Sequence, residues 1–428
     1  MDKRSAERSK LKPSLGLFDA TAISVGAIVG AGIFIVTGIT AGYAGSSLIV
    51  SMLIAAVVSL FTALSFAELT AWLPKEGSVY EFGHHLISPF AGFLAGWMWM
   101  LSNTFAGAAV SLGFAYYLTN LFPILPAQWV AAVLCIGFTL LNYFGVRQSA
   151  LLNDFLVASK LVILAFFCIF GVFYANAANF VPFAPFQSGV LIGAFYIFFA
   201  YGGFARVAVV AEEVKDAGRN VPRAILLSLA ISTIFYVAVG AVSVGLIGAS
   251  QLSSSNSPLA EAMDKTGSSA AVHIVSLGGL LATASVLLTS VLGVSRMAYA
   301  MAREKDLPQT LNRLHAKYNT PYYSVWITGV LMALLVLLID LSSVVVISTF
   351  AMLFYYASAN ISALRLQKEK RMYPQIVPIL GIITCLALLA ITLFISLQAW
   401  IMGSAGLMGG ALYYLAKKRI PLEKTTSM

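Results

Sequence analysis

Gly26-Ala27-Ile28-Val29-Gly30-Ala31-Gly32-Ile33-Phe34 stands at the centre of an apolar run over residues 15–41. Glycine costs about 1 kcal/mol per helical residue relative to alanine. A glycine cluster in mid-span therefore favours local unwinding, although Gly26 and Gly30 also form a G-x-x-x-G of the kind that packs two helices closely. A second cluster decides between these readings. Phe198-Phe199-Ala200-Tyr201-Gly202-Gly203-Phe204 interrupts another run, over 188–211. The two clusters lie in the first and sixth apolar runs, five apart. Paired glycine-broken spans in corresponding halves point to an inverted-repeat transporter. Free N–H groups at a half-helix N-terminus attract a carboxylate, and free carbonyls accept from an ammonium. Such a pair of breaks suits a zwitterion.

The rest of the chain agrees with a membrane setting. Of its 428 residues, 60% are apolar and 10% charged, against roughly 45–50% and roughly 25% in soluble domains. That balance excludes a soluble multidomain enzyme and a disordered chain. Apolar runs at 15–41, 47–73, 90–121, 127–145, 154–174, 188–211, 223–248, 270–302, 322–339, 341–365, 375–395 and 397–416 predict twelve helical spans, since about 20 apolar residues cross a bilayer. The first run shows no A-x-A cleavage site and reads as a span, not a removed signal peptide. With the N-terminus inside and alternating spans, all but three of the 26 basic residues fall on the inner side. The exceptions are Lys265 outside and Lys160 and Arg206 within spans. This is the positive-inside signature. The net charge of +9 is thus topological and calls for no nucleic acid. Both termini are expected in the cytoplasm and the chain in the cell membrane.

Chemistry-bearing motifs are scarce. Cys135, Cys168 and Cys385 lie far apart in apolar runs, and no CxxC pair or H-E-x-x-H spacing occurs. No metal site, cofactor or Walker A loop is expected. No nucleophile–base or paired-carboxylate set lies at a plausible depth, so an enzyme is not expected. Lys160 stands out, seven residues beyond Asn153 at the inner end of its span. At 1.5 Å per residue that is roughly 10 Å into the bilayer. Snorkelling to the interface remains an alternative, but ionisable residues at such depth are functional candidates. Lipid penalises an ammonium charge, which makes Lys160 a candidate proton carrier.

Several motifs, in order along nearly the whole chain, resemble the amino acid–polyamine–organocation transporter family. Gly30-Ala31-Gly32-Ile33-Phe34 resembles its G-x-G-[IV]-F break. Ala67-Glu68-Leu69 with Pro74, Gly77 and Tyr80 resembles its A-E-L…P-x-x-G-x-x-Y signature. Gly92-Phe93-Leu94-Ala95-Gly96-Trp97, Asn142-Tyr143-Phe144-Gly145-Val146-Arg147, Glu212-Glu213-Val214 with Val221-Pro222-Arg223-Ala224-Ile225, and Met301-Ala302-Arg303 with Leu307-Pro308 are similar to further family segments. The resemblance implies an all-α integral membrane protein of twelve transmembrane helices with the LeuT-type fold. In it, two inverted five-helix repeats (15–174 and 188–365) have discontinuous helices 1 and 6. Two C-terminal helices (375–416) follow, between cytoplasmic tails 1–14 and 417–428.

The same resemblance implies a site. Gly30, Ala31 and Gly32 would meet a substrate carboxylate. The carbonyls of Ile28, Phe199, Ala200 and Gly202 would meet its amine, and Tyr201 and Phe204 are candidate gate or pocket aromatics. In sodium-coupled relatives of the fold a cation sits between spans one and eight. In one branch of the family a fifth-span lysine takes its place, and Lys160 matches that lysine. Its implied partners are the carbonyls near Gly26 and Val29 and the Ser285 hydroxyl, with Thr283 and Thr289 as alternatives.

Arg206 departs from the family, whose members often carry a small or acidic residue nearby. Pairing with Asp19 or Glu212, exposure to the external vestibule and contact with an acidic substrate all stay open. Glu68 is expected to organise an inner loop with a basic residue, Asp19 to form an inner-gate pair, and Glu212 and Glu213 to pair with Arg219 and Arg223. The expected function is sodium-independent secondary transport by alternating access, as proton symport of small neutral amino acids. The alternatives are an amino acid exchanger, an amino acid–polyamine antiporter, and, from other classes, a membrane sensor or a channel.

Overall fold

The computed structural model describes residues 13–30, 32–122, 126–144 and 146–419. Among these every regular element is helical, apart from one parallel bridge between Leu15 and Val214. The chain runs α1 (Leu17–Ile28), a π-helical turn (Gly32–Val36), α2 (Thr37–Ala44), α3 (Leu48–Trp72), α4 (Val79–Leu86), α5 (Pro89–Leu121), α6 (Ala127–Tyr143) and α7 (Val146–Gly171). It continues through α8 (Ser188–Tyr201), α9 (Arg206–Val209), α10 (Ala217–Ser254), α11 (Pro258–Asp264), α12 (Ser269–Arg303), α13 (Tyr322–Leu338), α14 (Leu341–Arg365), α15 (Ile376–Ile395) and α16 (Leu397–Arg419). Each apolar run predicted from the sequence contains a helix. Seven helical stretches among the described residues are long and apolar enough to cross a membrane, and α6 and α13 are shorter apolar helices. In lipid such segments must satisfy their own backbone, which helices do.

The two glycine clusters are real interruptions. α1 stops at Ile28, and Val29 takes an extended conformation (φ −77°, ψ 94°). α8 stops at Tyr201, and residues 202–205 form turns before α9. The two breaks lie against each other. A Cβ on Gly203 would run into the backbone of Ala27 and Ile28, and a Cβ on Gly32 into Ala200. Glycine here lets one opened backbone touch the other.

Around the breaks stand α5, α12 and α14, largely buried. Ser102 on α5 and Ser348 on α14 exchange bonds, each hydroxyl donating to the other's carbonyl at 2.8 Å. Lipid-facing positions are apolar, for example Val133, Val162, Ile234 and Leu338, all exposed.

The end of the bundle where α1 begins is closed by chain-to-chain bonds. Ser14 and Leu15 N–H groups donate to the Glu213 carbonyl at 2.9 and 3.0 Å, and Lys215 N–H donates to the Leu15 carbonyl at 2.8 Å. The expected ionic partners differ here. Glu213 faces Arg296 at 3.6 Å and Glu212 faces Arg303 at 3.9 Å, both on α12 and not the predicted Arg219 and Arg223. The reason is geometric: Arg219 and Arg223 lie on α10, whereas the turn at 211–213 leans toward the end of α12. Glu68 accepts no cation in this arrangement. It takes the Met372 and Tyr373 N–H groups at 2.6 and 2.9 Å. Asp19 takes the N–H of Gly16 at 2.6 Å, as a helix start requires.

Beside this closure Glu76 is 1% exposed. Burial pushes its carboxyl up to about 7, against the pull of Arg296 and Arg303 and with Glu212 and Glu213 adding to the rise. Unfolded, the same group titrates near 4.5. The folded chain therefore binds more protons between these values, and stability falls as pH rises through that window. Thermal melts of the purified protein are expected to drop in midpoint from about pH 4.5 to about pH 7. Glu76→Gln should flatten part of that slope, and Glu81 and Glu213, also raised by burial, leave a remainder. A wild-type midpoint that climbs across this range would contradict the assignment.

Candidate functional site

Opening a helix in mid-span frees carbonyls, and the structure supplies a donor for them. Lys160 on α7 is fully buried. Its Nζ donates to the Gly26 carbonyl at 2.9 Å, the Val29 carbonyl at 2.5 Å and the Ser285 hydroxyl at 3.0 Å. An ammonium has three donors, and all three are engaged. The structure thus brings Lys160 together with Gly26, Val29 and Ser285, the partners that the resemblance implies. Thr283 and Thr289 turn to carbonyls of their own helix instead. Asn153 completes the cluster, since the Ser285 hydroxyl also lies 3.3 Å from its Oδ1.

Against the same break lies a small cavity of about 30 Å³. That is room for about two waters, so an amino acid needs the site to widen. Ile28, Gly30, Gly32, Phe199, Ala200 and Gly202 line it. Ala31 falls outside the described residues. Tyr201 and Phe204 do not line the cavity. Tyr201 packs on Tyr236, ring centroids 4.9 Å apart. Phe204 packs on Phe66 and Tyr356 at 5.8 and 5.1 Å. Their apolar rings find aromatic partners in the core, which takes them away from a polar site.

Each carbonyl expected to meet an amine already has a protein donor. The Tyr236 hydroxyl on α10 bridges the Ile28 and Ala200 carbonyls at 2.7 and 3.1 Å. The Tyr356 hydroxyl takes the Gly202 carbonyl at 2.9 Å, and the Gly202 N–H takes that of Phe199 at 3.1 Å. A carbonyl has a second lone pair, so a substrate amine would share these oxygens. Tyr236 was not singled out by sequence. A lone tyrosine in an apolar run carries no signal until its hydroxyl is seen between two breaks.

The remaining lining comes from three helices whose facing residues the sequence left unassigned. They are Ser102, Asn103, Ala106 and Val110 on α5, Val286 on α12, and Ser348, Met352 and Tyr355 on α14. Arg206 also lines the cavity. It meets neither Asp19 nor Glu212 and is 6% exposed, which rules out the vestibule. Its Nη1 donates to the Thr289 hydroxyl at 2.8 Å and, at 3.4 Å, to the Val286 carbonyl. Its Nη2 donates to Asn103 Oδ1 at 2.6 Å.

Comparison with known proteins agrees with this architecture. A sequence model of the amino acid permease family matches residues 15–413. The chain is 35% identical over 384 residues to an uncharacterized transporter of Mycobacterium tuberculosis, covering 89% of this chain and 86% of that one. It is 32% identical over 414 residues to the branched-chain amino acid permease BcaP of Bacillus subtilis, covering 90% and 89%. Cationic amino acid transporter 4 of Mus musculus is 32% identical over 394 residues, covering 86% of this chain and 62% of its own length. These relatives are transporters, not enzymes.

The Tyr236 bridge gives a direct stability test. Tyr236→Phe keeps the ring and removes the hydroxyl, so the Ile28 and Ala200 carbonyls lose the single O–H donor they share. It should lower unfolding free energy by about 2 kcal/mol, read from denaturant unfolding of the purified protein. An unchanged midpoint would mean that the hydroxyl does not hold the breaks together.

Proposed function

The chain belongs to the amino acid permease family, and from that premise we propose that it is a sodium-independent secondary active transporter of small amino acids that works by alternating access as a proton symporter. The observation that carries this reading is the Lys160 ammonium on the Gly26 and Val29 carbonyls and the Ser285 hydroxyl. Three oxygens around one positive charge form the environment that a coordinated cation would need. Here the cation is tethered to the chain.

The chemistry of the amine links proton and substrate. A charged Lys160 offers three N–H groups to three oxygens. A neutral one offers two and a lone pair, which repels whichever carbonyl it then faces. Val29 is adjacent to Gly30, in the segment proposed to receive the substrate carboxylate with Ala31 and Gly32. A change of protonation is thereby felt where the substrate binds. Ile28, Phe199, Ala200 and Gly202 are the proposed amine contacts. No described residue lining the cavity carries a carboxylate, which weighs against cargo with a second ammonium, although one relative is named for cationic amino acids and another for branched-chain ones. The neutral-substrate expectation rests on that same argument, which does not separate neutral from acidic side chains.

The proposed arrangement is twelve spans in the cell membrane. It comprises inverted repeats over 15–174 and 188–365, two further helices over 375–416, and tails 1–14 and 417–428 in the cytoplasm. Exchange is the second reading. It is favoured by the full engagement of all three ammonium donors, as a fixed stand-in for a cation would show.

Uptake of a labelled amino acid panel into proteoliposomes separates the two. An inward proton gradient of one pH unit supports about tenfold accumulation for one coupled proton. Wild type should reach it and Lys160→Ala should not respond to the gradient. Uptake that requires internal unlabelled substrate would replace symport with exchange.

A further inference from the structure

Arg206 is the one cavity-lining residue, among those described, that carries a formal charge. A guanidinium stays charged in proteins, and burying a charge without a counter-ion costs several kcal/mol. Its partners here are all neutral: an amide oxygen, a hydroxyl and a carbonyl. Its ionisable neighbours are the Tyr355 and Tyr356 phenols. The carboxylates considered from sequence are spent elsewhere, Asp19 on the Gly16 N–H and Glu212 near Arg303. A guanidinium has five N–H donors, and the named contacts engage three at most.

A second buried cation stands close by. Lys160 donates to Ser285 on the same stretch of α12 whose Val286 and Thr289 meet Arg206, and no described ion pair neutralises either cation. A zwitterionic substrate with a neutral side chain would leave both charges in place. A substrate with one further carboxylate would bring a net negative charge to them, and Coulomb attraction at such depth is stronger than in water. The free volume adjoining Arg206 is the cavity itself.

We propose that Arg206 makes this cavity selective for amino acids whose side chain ends in a carboxylate, with the guanidinium receiving that group. The assignment rests on the transport reading and narrows its cargo. The α-carboxylate goes to the N–H groups of the first break. The side-chain carboxylate replaces or joins Asn103 and Thr289 on the Arg206 donors.

Competition in proteoliposomes reconstituted with the full chain tests it, with aspartate and glutamate set against alanine, serine and leucine. Wild type should take up an acidic amino acid with at least about tenfold preference, the amount that one charged hydrogen-bonded pair supplies. Arg206→Gln should erase that preference. Asn103→Asp is the second variant, because it leaves the guanidinium in place and sets a carboxylate against it. It too should abolish the acidic preference, read as the ratio of acidic to neutral uptake. A merely structural arginine would not move this ratio. Wild-type uptake confined to neutral amino acids would overturn the acidic assignment and leave transport standing. No saturable uptake of any amino acid would overturn the transport reading and this one with it.

Discussion

A helix broken in lipid leaves carbonyls that must find donors or pay a cost of several kcal/mol. At the first break Lys160 meets that need by reaching from α7 to the Gly26 and Val29 carbonyls. The bond is mutual. The oxygens make a buried ammonium tolerable, and the ammonium makes an opened helix tolerable. Ser285 ties the same point to α12, so three helices meet at one charge. The second break is held differently, by the neutral hydroxyls of Tyr236 and Tyr356. Tyr236 reaches both breaks and fixes one against the other. Close approach is possible because Gly32 and Gly203 carry no side chain where the backbones touch.

Lys160 and the cavity lie against the same opened stretch of the first span. Lys160 donates to the Val29 carbonyl, and Ile28 and Gly30 on either side of that residue line the cavity. The reciprocal Ser102 and Ser348 bonds hold α5 against α14 at the cavity wall.

Much of this was legible beforehand for physical reasons. Long apolar runs leave little choice in lipid, so the helices fall where hydropathy places them. Glycine clusters in mid-span are costly, so the breaks after Ile28 and after Tyr201 could be read from composition. Lys160 announced itself by depth, while its partners came from resemblance to a transporter family. Other features were not legible. Ser348, Met352 and Tyr355 share a helical face by spacing, yet in an apolar run every face is equally greasy, and nothing marks the one that lines a cavity. Tyr201 and Phe204 sit in the right segment and turn to aromatic partners. Arg296 and Arg303 find Glu213 and Glu212 across more than eighty residues, whereas sequence proximity favoured Arg219 and Arg223.

The central claim is that a tethered ammonium does the work of a sodium ion. The most direct test is the initial rate of amino acid uptake into proteoliposomes, with sodium present on both sides and with choline in its place. A chain that carries its own cation should give equal rates in the two media. A rise of about fivefold or more with sodium, the coupling that one bound ligand commonly supplies, would contradict it.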